Sequence, residues 1–234
     1  MGSCKWLAGL AAAVTLLGTT AQAALVGYTD RSAFDTAVAA LPSVGTSTLN
    51  FDSLAANTLI PSGAVAGGIT FTYNFGGVSL QVTNGAPTTS SPNFLGTDDA
   101  GMLQQGDNID LGFGAANAIG LYVMSPDTLF DDDFQLSVGG TSVSLSTASL
   151  QQTLSDGTMV YFLGLVDAAS TFTAASLRTD QNGTGQFLWN ADDIVTAAAG
   201  QGSGTAPEPG TLALLGATLG ALVATSRRDK SQRG

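Results

Sequence analysis

Two runs of alternating apolar and polar residues, separated by a pair of glycines, constrain the fold of this chain more than any other feature. In Ile69–Phe75 every second residue is large and apolar, and after Gly76-Gly77 the alternation resumes in Val78–Thr83. A period of two is typical of a strand with one buried face. A Gly-Gly pair between two such runs predicts a β-hairpin. This part of the chain is therefore expected to fold as antiparallel strands.

The same arrangement recurs at Phe134–Val138, Gly139-Gly140 and Thr141–Leu145, which predicts a second hairpin. Further short β-runs fill the rest of the domain: Thr48–Asp52, Ile109–Phe113, Ala118–Met124, Met159–Val166, Phe172–Arg178, Gly185–Trp189 and Ile194–Thr196. No helical pattern lies between these ten or so runs, so parallel βαβ connections are excluded. The pattern favours a mainly β fold, an antiparallel two-sheet sandwich.

One short helix is expected near the start of this domain. Thr29 or Asp30 can cap it, and Phe34, Val38 and Leu41 follow at helical spacing. Within the strands, the aromatic residues are expected to pack in the core rather than to form a binding surface. The residues predicted to be buried are Phe71, Phe75, Ile119, Leu121, Val160 and Leu188, and the same is expected of Tyr73, Tyr122, Tyr161 and Trp189.

The first 23 residues have the three parts of a secretory signal peptide. Lys5 supplies the positive charge, Leu7–Leu17 is the apolar region, and Ala21 and Ala23 form an A-x-A cleavage site before Ala24. The apolar region is too short for a transmembrane helix. The sequence therefore predicts a signal helix, cleavage by signal peptidase and export.

The end of the chain combines a short motif, an apolar segment and a basic terminus. The motif is Pro207, Glu208 and Pro209, and Gly210–Thr225 then contains no charged residue. As a helix these 16 residues span about 24 Å, a marginal length for a bilayer core of about 30 Å. Positive charge stays on the cytoplasmic side, which predicts a single membrane helix with the domain outside. The residues of this cytoplasmic stop are Arg227, Arg228, Lys230 and Arg233.

This C-terminal arrangement resembles the PEP-CTERM sorting domain of exported bacterial proteins. The resemblance covers about 25 residues, from Ala206 through Pro207-Glu208-Pro209 and the apolar segment to Arg227-Arg228. It implies recognition by an exosortase, a membrane transpeptidase, with cleavage near the motif. It also implies release or transfer to the cell surface, and an association with exopolysaccharide and biofilm matrix.

The domain between the two ends resembles the jelly-roll ectodomains often found upstream of such tails. This resemblance implies a fold shared with carbohydrate-binding modules, with the first and last strands adjacent in one sheet; fold alone does not fix function. The matching pieces are Leu49–Asp52, Gly68–Phe71, Ser91–Gly96, Ala118–Val123 and Asp192–Ile194.

The composition of residues 24–206 limits the chemistry of this domain. It holds two arginines and sixteen aspartates, a net charge of −14, so nucleic acid and anionic lipid are poor partners. The chain has no histidine, and its only cysteine, Cys4, lies in the signal segment. Catalysis by Ser-His-Asp or Cys-His groups and a zinc site are therefore not expected. A carboxylate pair of a glycoside hydrolase stays open, although no pair stands out.

Three groups of acidic residues are candidate calcium ligands, but solvated loops are the preferred interpretation. They are Asp131-Asp132-Asp133, Asp98-Asp99 and Asp107-Asn108-x-Asp110. Oxygen-rich clusters suit Ca²⁺, yet none of these has the spacing of a calcium-binding EF-hand loop.

A structural calcium ion is the more specific expectation at the two ends of the domain. The jelly-roll resemblance would bring Asp52, at the end of the first strand, near Asp193, at the start of the last. Adjacent strand residues point to opposite faces, so Asp193 is taken as the ligand and Asp192 is left to solvent. The alternative is that both are exposed acids. Melting in Ca²⁺ and in chelator distinguishes the two, because a bound ion stabilises the folded state.

The sequence therefore predicts four segments: a signal peptide (1–23), a β-sandwich ectodomain (24–196), a flexible linker (197–205) and a sorting and anchor segment (206–234). The expected function is that of an exported, surface-sorted, non-enzymatic protein of the extracellular or exopolysaccharide matrix. A carbohydrate-binding module at the cell surface is the alternative, and a secreted hydrolase is the third. No cofactor other than the calcium ion is expected.

Overall fold

The computed structural model describes residues 24–42, 44–73, 75–179 and 186–200 of the chain. Within them it has sixteen strands, one α-helix and one 3-10 turn, Thr147–Ser149. The helix α1 is Arg31–Ala39. The strands are β1 Val26–Tyr28, β2 Val44–Leu49, β3 Leu59–Ile60, β4 Val65–Ala66, β5 Ile69–Tyr73, β6 Leu80–Thr83, β7 Phe94–Thr97, β8 Leu103–Gln104, β9 Ile109–Ala116, β10 Ala118–Ser125, β11 Phe134–Val138, β12 Thr141–Ser144, β13 Gln152–Thr153, β14 Met159–Val166, β15 Phe172–Thr179 and β16 Leu188–Ala199.

The strands form two antiparallel sheets, which confirms the predicted sandwich. The larger sheet has ten strands in the order β1-β14-β10-β16-β7-β6-β3, with β13 beside β14 and both β2 and β8 beside β16. The smaller has six, in the order β12-β11-β15-β9-β5-β4. Their inner faces enclose one large apolar core that includes Phe71, Leu121 and Trp189.

Helix α1 begins where the sequence predicts. The Asp30 side chain accepts a hydrogen bond from the Ala33 backbone N–H at 2.7 Å, which satisfies one of the free donors of the first turn. Phe34 and Val38 are buried against the outer face of the ten-stranded sheet, where they meet Phe162 in a second apolar cluster. The aromatic rings of Phe34 and Phe162 lie 5.1 Å apart. The helix therefore covers part of the sheet that would otherwise expose apolar side chains.

The two glycine pairs behave differently, and one predicted hairpin is wrong. β11 and β12 pair directly around Gly139-Gly140, with Val138 opposite Thr141. β5 and β6 do not pair: β5 lies in the six-stranded sheet and β6 in the ten-stranded sheet. The turn at Gly76-Gly77 therefore carries the chain from one sheet to the other.

Backbone geometry explains this difference. Gly139, the first central residue of its turn, has φ +57°, and a positive φ at this position is typical of the type II′ turn that matches strand twist. At the other pair it is the second central residue, Gly77, that has a positive φ, +85°. The Val78 N–H donates to the Phe75 carbonyl at 3.1 Å. A positive φ at the second position is typical of a type II turn, which splays the flanking strands.

Most of the predicted core is confirmed, with three corrections: Phe75, Leu188 and Tyr122, which is only half-buried. Phe71, Ile119, Leu121 and Val160 are at most 1% exposed, and Tyr73, Tyr161 and Trp189 are also buried. Phe75 is 56% exposed, because β5 ends at Tyr73 and Phe75 belongs to the turn that follows. Leu188 is 39% exposed, because its neighbour Trp189 points into the core and adjacent strand residues face opposite ways.

The first and last predicted strand boundaries also change. β2 ends at Leu49, so Asp52 lies in the turn after the strand rather than within it. The two runs predicted at the end of the domain form one continuous strand, β16. β16 pairs with β2 as far as Ala199 opposite Val44, so the sheet extends three residues beyond the expected domain end at residue 196.

Candidate functional site

A cleft of about 250 Å³ opens at one end of the six-stranded sheet, and we call it the Phe75 cleft. It is lined by Tyr73, Phe75, Gly106, Asp107, Asn108, Asp110 and Arg178. These residues come from the end of β5 and the turn after it, from the loop before β9, and from the strands β9 and β15. The cleft thus combines an exposed aromatic ring with charged and amide side chains, unlike the apolar core between the sheets.

The aromatic wall of the cleft is held in place by a buried hydrogen bond. The Phe75 ring stacks on Tyr73, with ring centroids 6.5 Å apart and planes inclined by 29°. The Tyr73 hydroxyl donates to Asp107 Oδ1 at 2.8 Å. Burial, followed by this bond and the negative charge of Asp107, raises the pKa of Tyr73 above its ordinary value. Tyr73 therefore remains a phenol that supports the exposed Phe75 ring.

Asp107 closes the floor of the cleft. The pKa of its carboxyl group is raised, because the effect of burial outweighs the hydrogen bonds from the Gln104 backbone and from Tyr73, which lower it. The Gln104 N–H donates to Asp107 Oδ2 at 2.7 Å, so each carboxylate oxygen has a donor. Asp107, which the sequence assigned to a solvated loop, is thus buried, while Asn108 is exposed and Asp110 partly exposed.

Asp110 and Arg178 form the polar wall. Arg178 Nη2 donates to Asp110 Oδ1, which also accepts from the Ser176 hydroxyl at 2.6 Å. Burial alone would raise the pKa of Asp110, but the bonds from Ser176 and Arg178 outweigh it and hold the pKa below its ordinary value. The side chains of Arg178 and Asp110 are 33% and 44% exposed. Among the described residues Asp110 Oδ2 accepts no hydrogen bond, so this oxygen can still accept one.

A row of polar side chains runs from the cleft across the outer face of the six-stranded sheet. Asp110 lies opposite Thr72 on one side and Ser176 on the other, and Ser137 and Ser142 continue the same row. We call these five residues the polar strip. All are partly or fully exposed, while their neighbours along each strand are largely buried. A second row, Arg178, Gln135 and Ser144, lies beside it.

The sequence does not assign this strip to a site, because its members come from five separate strands. Their alternation with buried residues does mark them as the outer face of each strand. Only the strand order and register place them side by side.

The larger groove of the structure, about 600 Å³, lies beside helix α1. Arg31 Nε donates to both carboxylate oxygens of Asp35, at 2.8 and 2.9 Å. Its guanidinium lies over the rings of Tyr122 and Phe162, at 5.6 and 5.4 Å. Tyr122 is half-buried on this outer face and not in the inter-sheet core, where the sequence placed it. Arg31 and Asp35 of this groove are thus paired with each other.

Asp192 differs from the sequence expectation most clearly. It is fully buried, whereas the sequence left it to solvent. Asp192 Oδ2 accepts from the hydroxyls of Thr88, Thr89 and Ser90 and from the Ser90 backbone N–H. Oδ1 accepts from the Asp193 N–H at 2.8 Å. Burial, opposed by the hydrogen bond from Thr88 and reinforced by the charge of Asp193, raises the pKa of Asp192 to about 6.

Asp193 and Asp52, the predicted calcium ligands, lie on adjacent segments. β2 pairs with β16, with Leu49 opposite Ile194, so the expected neighbourhood of these two chain segments is present. The register between β10 and β16 shifts near Asp193, whose φ is +49°, as in a β-bulge. Asp52 Oδ1 accepts from the Asn93 N–H at 3.0 Å.

Within the described ranges no group of three or more carboxylates, cysteines or histidines could hold a metal ion. Calcium binding by this pair stays a prediction.

The other acidic groups serve local structure. Asp131 accepts from the N–H and hydroxyl of Thr147. Asp133, predicted to be solvated, is 1% exposed and accepts from the Phe130 N–H at 2.6 Å. Asp98 accepts from the Ser79 N–H at 3.0 Å. These are turn and loop contacts of the kind in which aspartate is common.

The predicted sorting and cleavage residues lie outside the described part of the chain: Ala21, Ala23, Pro207, Glu208, Pro209, Arg227, Arg228 and Lys230. In the part that is described, no helix has the length and apolar character needed to cross a membrane.

Fold and site together define a two-sheet antiparallel β-sandwich with a polar, aromatic-walled cleft on its smaller sheet. Comparison with protein-family models, with curated proteins and with solved structures finds no match for this chain.

Proposed function

We propose that this chain is an exported, surface-sorted protein of the extracellular or exopolysaccharide matrix, and that it acts without catalysis. One observation supports the proposal above others: the motif Pro207-Glu208-Pro209, the uncharged Gly210–Thr225 segment and the basic terminus follow one another in that order. The signal-peptide pattern at the opposite end is independent of this tail and agrees with it. On this proposal signal peptidase removes residues 1–23, and the C-terminal helix holds the protein in the membrane until an exosortase cleaves near the motif.

The proposed architecture is jelly-roll-like. It is supported by the adjacency of β2 and β16, two strands far apart in the chain that pair antiparallel in the ten-stranded sheet. The acidic surface suits a secreted matrix component, because a strongly negative charge keeps a protein soluble and discourages binding to anionic partners.

The sorting proposal is tested by the mass of the mature protein. Material recovered from the cell surface is expected to lack both residues 1–23 and the arginine-rich end. Glu208→Ala is expected to leave the unprocessed protein in the membrane fraction. Mature surface protein that still contains Arg227 and Arg228 would overturn the proposal.

A second candidate function is carbohydrate binding at the cell surface. The Phe75 cleft favours it, because an exposed aromatic ring lies beside the partly exposed pair Asp110 and Arg178. A secreted hydrolase is the third and least favoured candidate. Asp107 and Asp110 both line the cleft, but the two carboxylate oxygens of Asp107 already accept hydrogen bonds from Tyr73 and Gln104.

A further inference from the structure

We propose that the Phe75 cleft binds an uncharged, extended polysaccharide, and that the bound chain continues along the polar strip. This inference rests on the second candidate function, carbohydrate binding, and specifies where the ligand lies and which class of glycan it is.

The cleft offers the two kinds of contact that a sugar ring requires. The apolar face of a sugar packs on an aromatic ring, and Phe75 is 56% exposed while being held by Tyr73 beneath it. Sugar hydroxyls form hydrogen bonds with planar polar groups such as carboxylates. The orientation of the Asp110 carboxylate is held by its hydrogen bonds from Ser176 and Arg178. Because these groups are already positioned in the free protein, little side-chain entropy is lost when the ligand binds.

The polar strip gives the site its length. Thr72, Asp110, Ser176, Ser137 and Ser142 lie in register on β5, β9, β15, β11 and β12. Neighbouring strands are about 4.8 Å apart, so five strands extend the row over about 20 Å. A hydroxyl both donates and accepts hydrogen bonds, as a sugar hydroxyl does. The strip therefore matches a chain several sugars long that crosses the sheet, rather than a single sugar in a pocket.

The charge of the domain selects an uncharged glycan. Residues 24–206 hold sixteen aspartates and two arginines. Arg178, the cation of the cleft, is paired with Asp110. The negative charge of Asp99 raises the pKa of both Asp107 and Tyr73, and that of Asp98 also raises the pKa of Tyr73. The surroundings of the cleft are therefore negative. A polysaccharide of uronic acids would be repelled over distances up to about 10 Å at 0.1 M salt, whereas an uncharged chain would not.

Affinity electrophoresis of the full chain tests the inference. Native gels contain hydroxyethyl cellulose, mannan or dextran as uncharged probes, and alginate as an anionic probe. The protein is expected to be retarded by at least one uncharged polysaccharide and not by alginate. Phe75→Ala, at one end of the site, and Ser137→Glu, on the strip, are each expected to weaken retardation about tenfold, the equivalent of about 1.4 kcal/mol.

Phe130→Ala is the matched control, since Phe130 is a similarly exposed phenylalanine, at 50%, that does not line the cleft. Circular dichroism and melting confirm that each variant is folded. If no polysaccharide retards the protein, the carbohydrate-binding function and this inference both fail. If an uncharged polysaccharide retards all variants equally, carbohydrate binding stands and the assignment to this face is overturned. Stronger retardation by alginate would overturn the uncharged class.

Discussion

Asp192 and Asp110 are both strand carboxylates that accept hydrogen bonds from hydroxyl groups, but their surroundings differ. Asp192 is fully buried, and its two oxygens accept from three hydroxyls and two backbone N–H groups. Asp110 is partly exposed, and among the described residues only its Oδ1 is used, by Ser176 and Arg178. A carboxylate whose acceptors are all used within the protein stabilises a fold, whereas one with a free acceptor beside a cleft can bind a ligand.

The contacts of Asp192 also show what it stabilises. Thr88, Thr89 and Ser90 belong to the loop between β6 and β7, about one hundred residues away in the chain. Asp192 lies on β16, near the middle of the ten-stranded sheet. Its carboxylate therefore holds a loop that has no ladder hydrogen bonds of its own. The Phe75 cleft, by contrast, lies at the outer surface of the smaller sheet, where a bound ligand needs no displacement of the fold.

The largest expected effect in this comparison is that of removing the Asp192 carboxylate. Asp192→Ala leaves the partly buried N–H groups of Ser90 and Asp193 without their acceptor. Each unsatisfied group costs about 1–3 kcal/mol, with the upper end reached only on full burial, so we expect the two together to lower the free energy of unfolding by about 2–4 kcal/mol. Urea denaturation at pH 4.5 measures it, because the folded chain there holds the Asp192 carboxyl largely protonated and does not bear the cost of its buried charge. A loss under about 0.5 kcal/mol would contradict the structural role of Asp192.

The next effect is a dependence of stability on pH that originates at Asp192. Its pKa is about 6 in the folded chain and 3.8 ordinarily, so the folded state binds the proton more tightly than the unfolded state. The free energy of unfolding should therefore rise as the pH falls from above 6 toward 4. Between pH 7.5 and pH 4.5 this group contributes about 2 kcal/mol.

Asp192→Asn is the matched control for this prediction, because it keeps one acceptor oxygen and removes the titration. Its free energy of unfolding is expected to vary less between the two pH values, and the difference between the two slopes isolates Asp192. Asp110, with its pKa below the ordinary value, acts in the opposite direction, but only at lower pH. Equal slopes for the natural chain and Asp192→Asn would assign the pH dependence to other groups.

The smallest effect on stability is expected at the cleft. Phe75 is more than half exposed, so Phe75→Ala should change the free energy of unfolding by no more than about 0.5 kcal/mol. The same substitution is expected to reduce polysaccharide binding. Binding would then depend on Phe75, whereas stability would depend on Asp192. The measurement is urea denaturation beside affinity electrophoresis on one preparation. A destabilisation as large as that of Asp192→Ala would show that Phe75 supports the fold and would remove the contrast between the two regions.

Much of the fold is predictable from local pattern. The Asp30 cap, the spacing of Phe34 and Val38, and the alternation along β5, β11 and β15 each depend on residues close together in the chain. Alternation states which side chains face the core, because strand side chains point alternately to the two faces. The antiparallel class, the short helix and most of the buried residues follow from such local signals.

The candidate site was less accessible to sequence reasoning. The sequence marks the acidic group at 107–110 but favours a solvated loop for it, since nothing local shows that Tyr73 contacts Asp107. The contact between the Thr88–Ser90 loop and Asp192 spans about one hundred residues, so no local pattern predicts it.

By itself the sequence determined the strand periodicity, the helix, the negative charge and the expected sorting signals at both ends. Tertiary structure alone decided which strands pair: the run before Gly76-Gly77 joins one sheet and the run after it joins the other, although the pattern is the same as at Gly139-Gly140. The physical reason is that strands pair through backbone groups that are the same in nearly every residue. Periodicity therefore selects the face of a strand, while its partner and register depend on how the whole core closes, and that closure is what brings Phe75, Asp110 and the polar strip together.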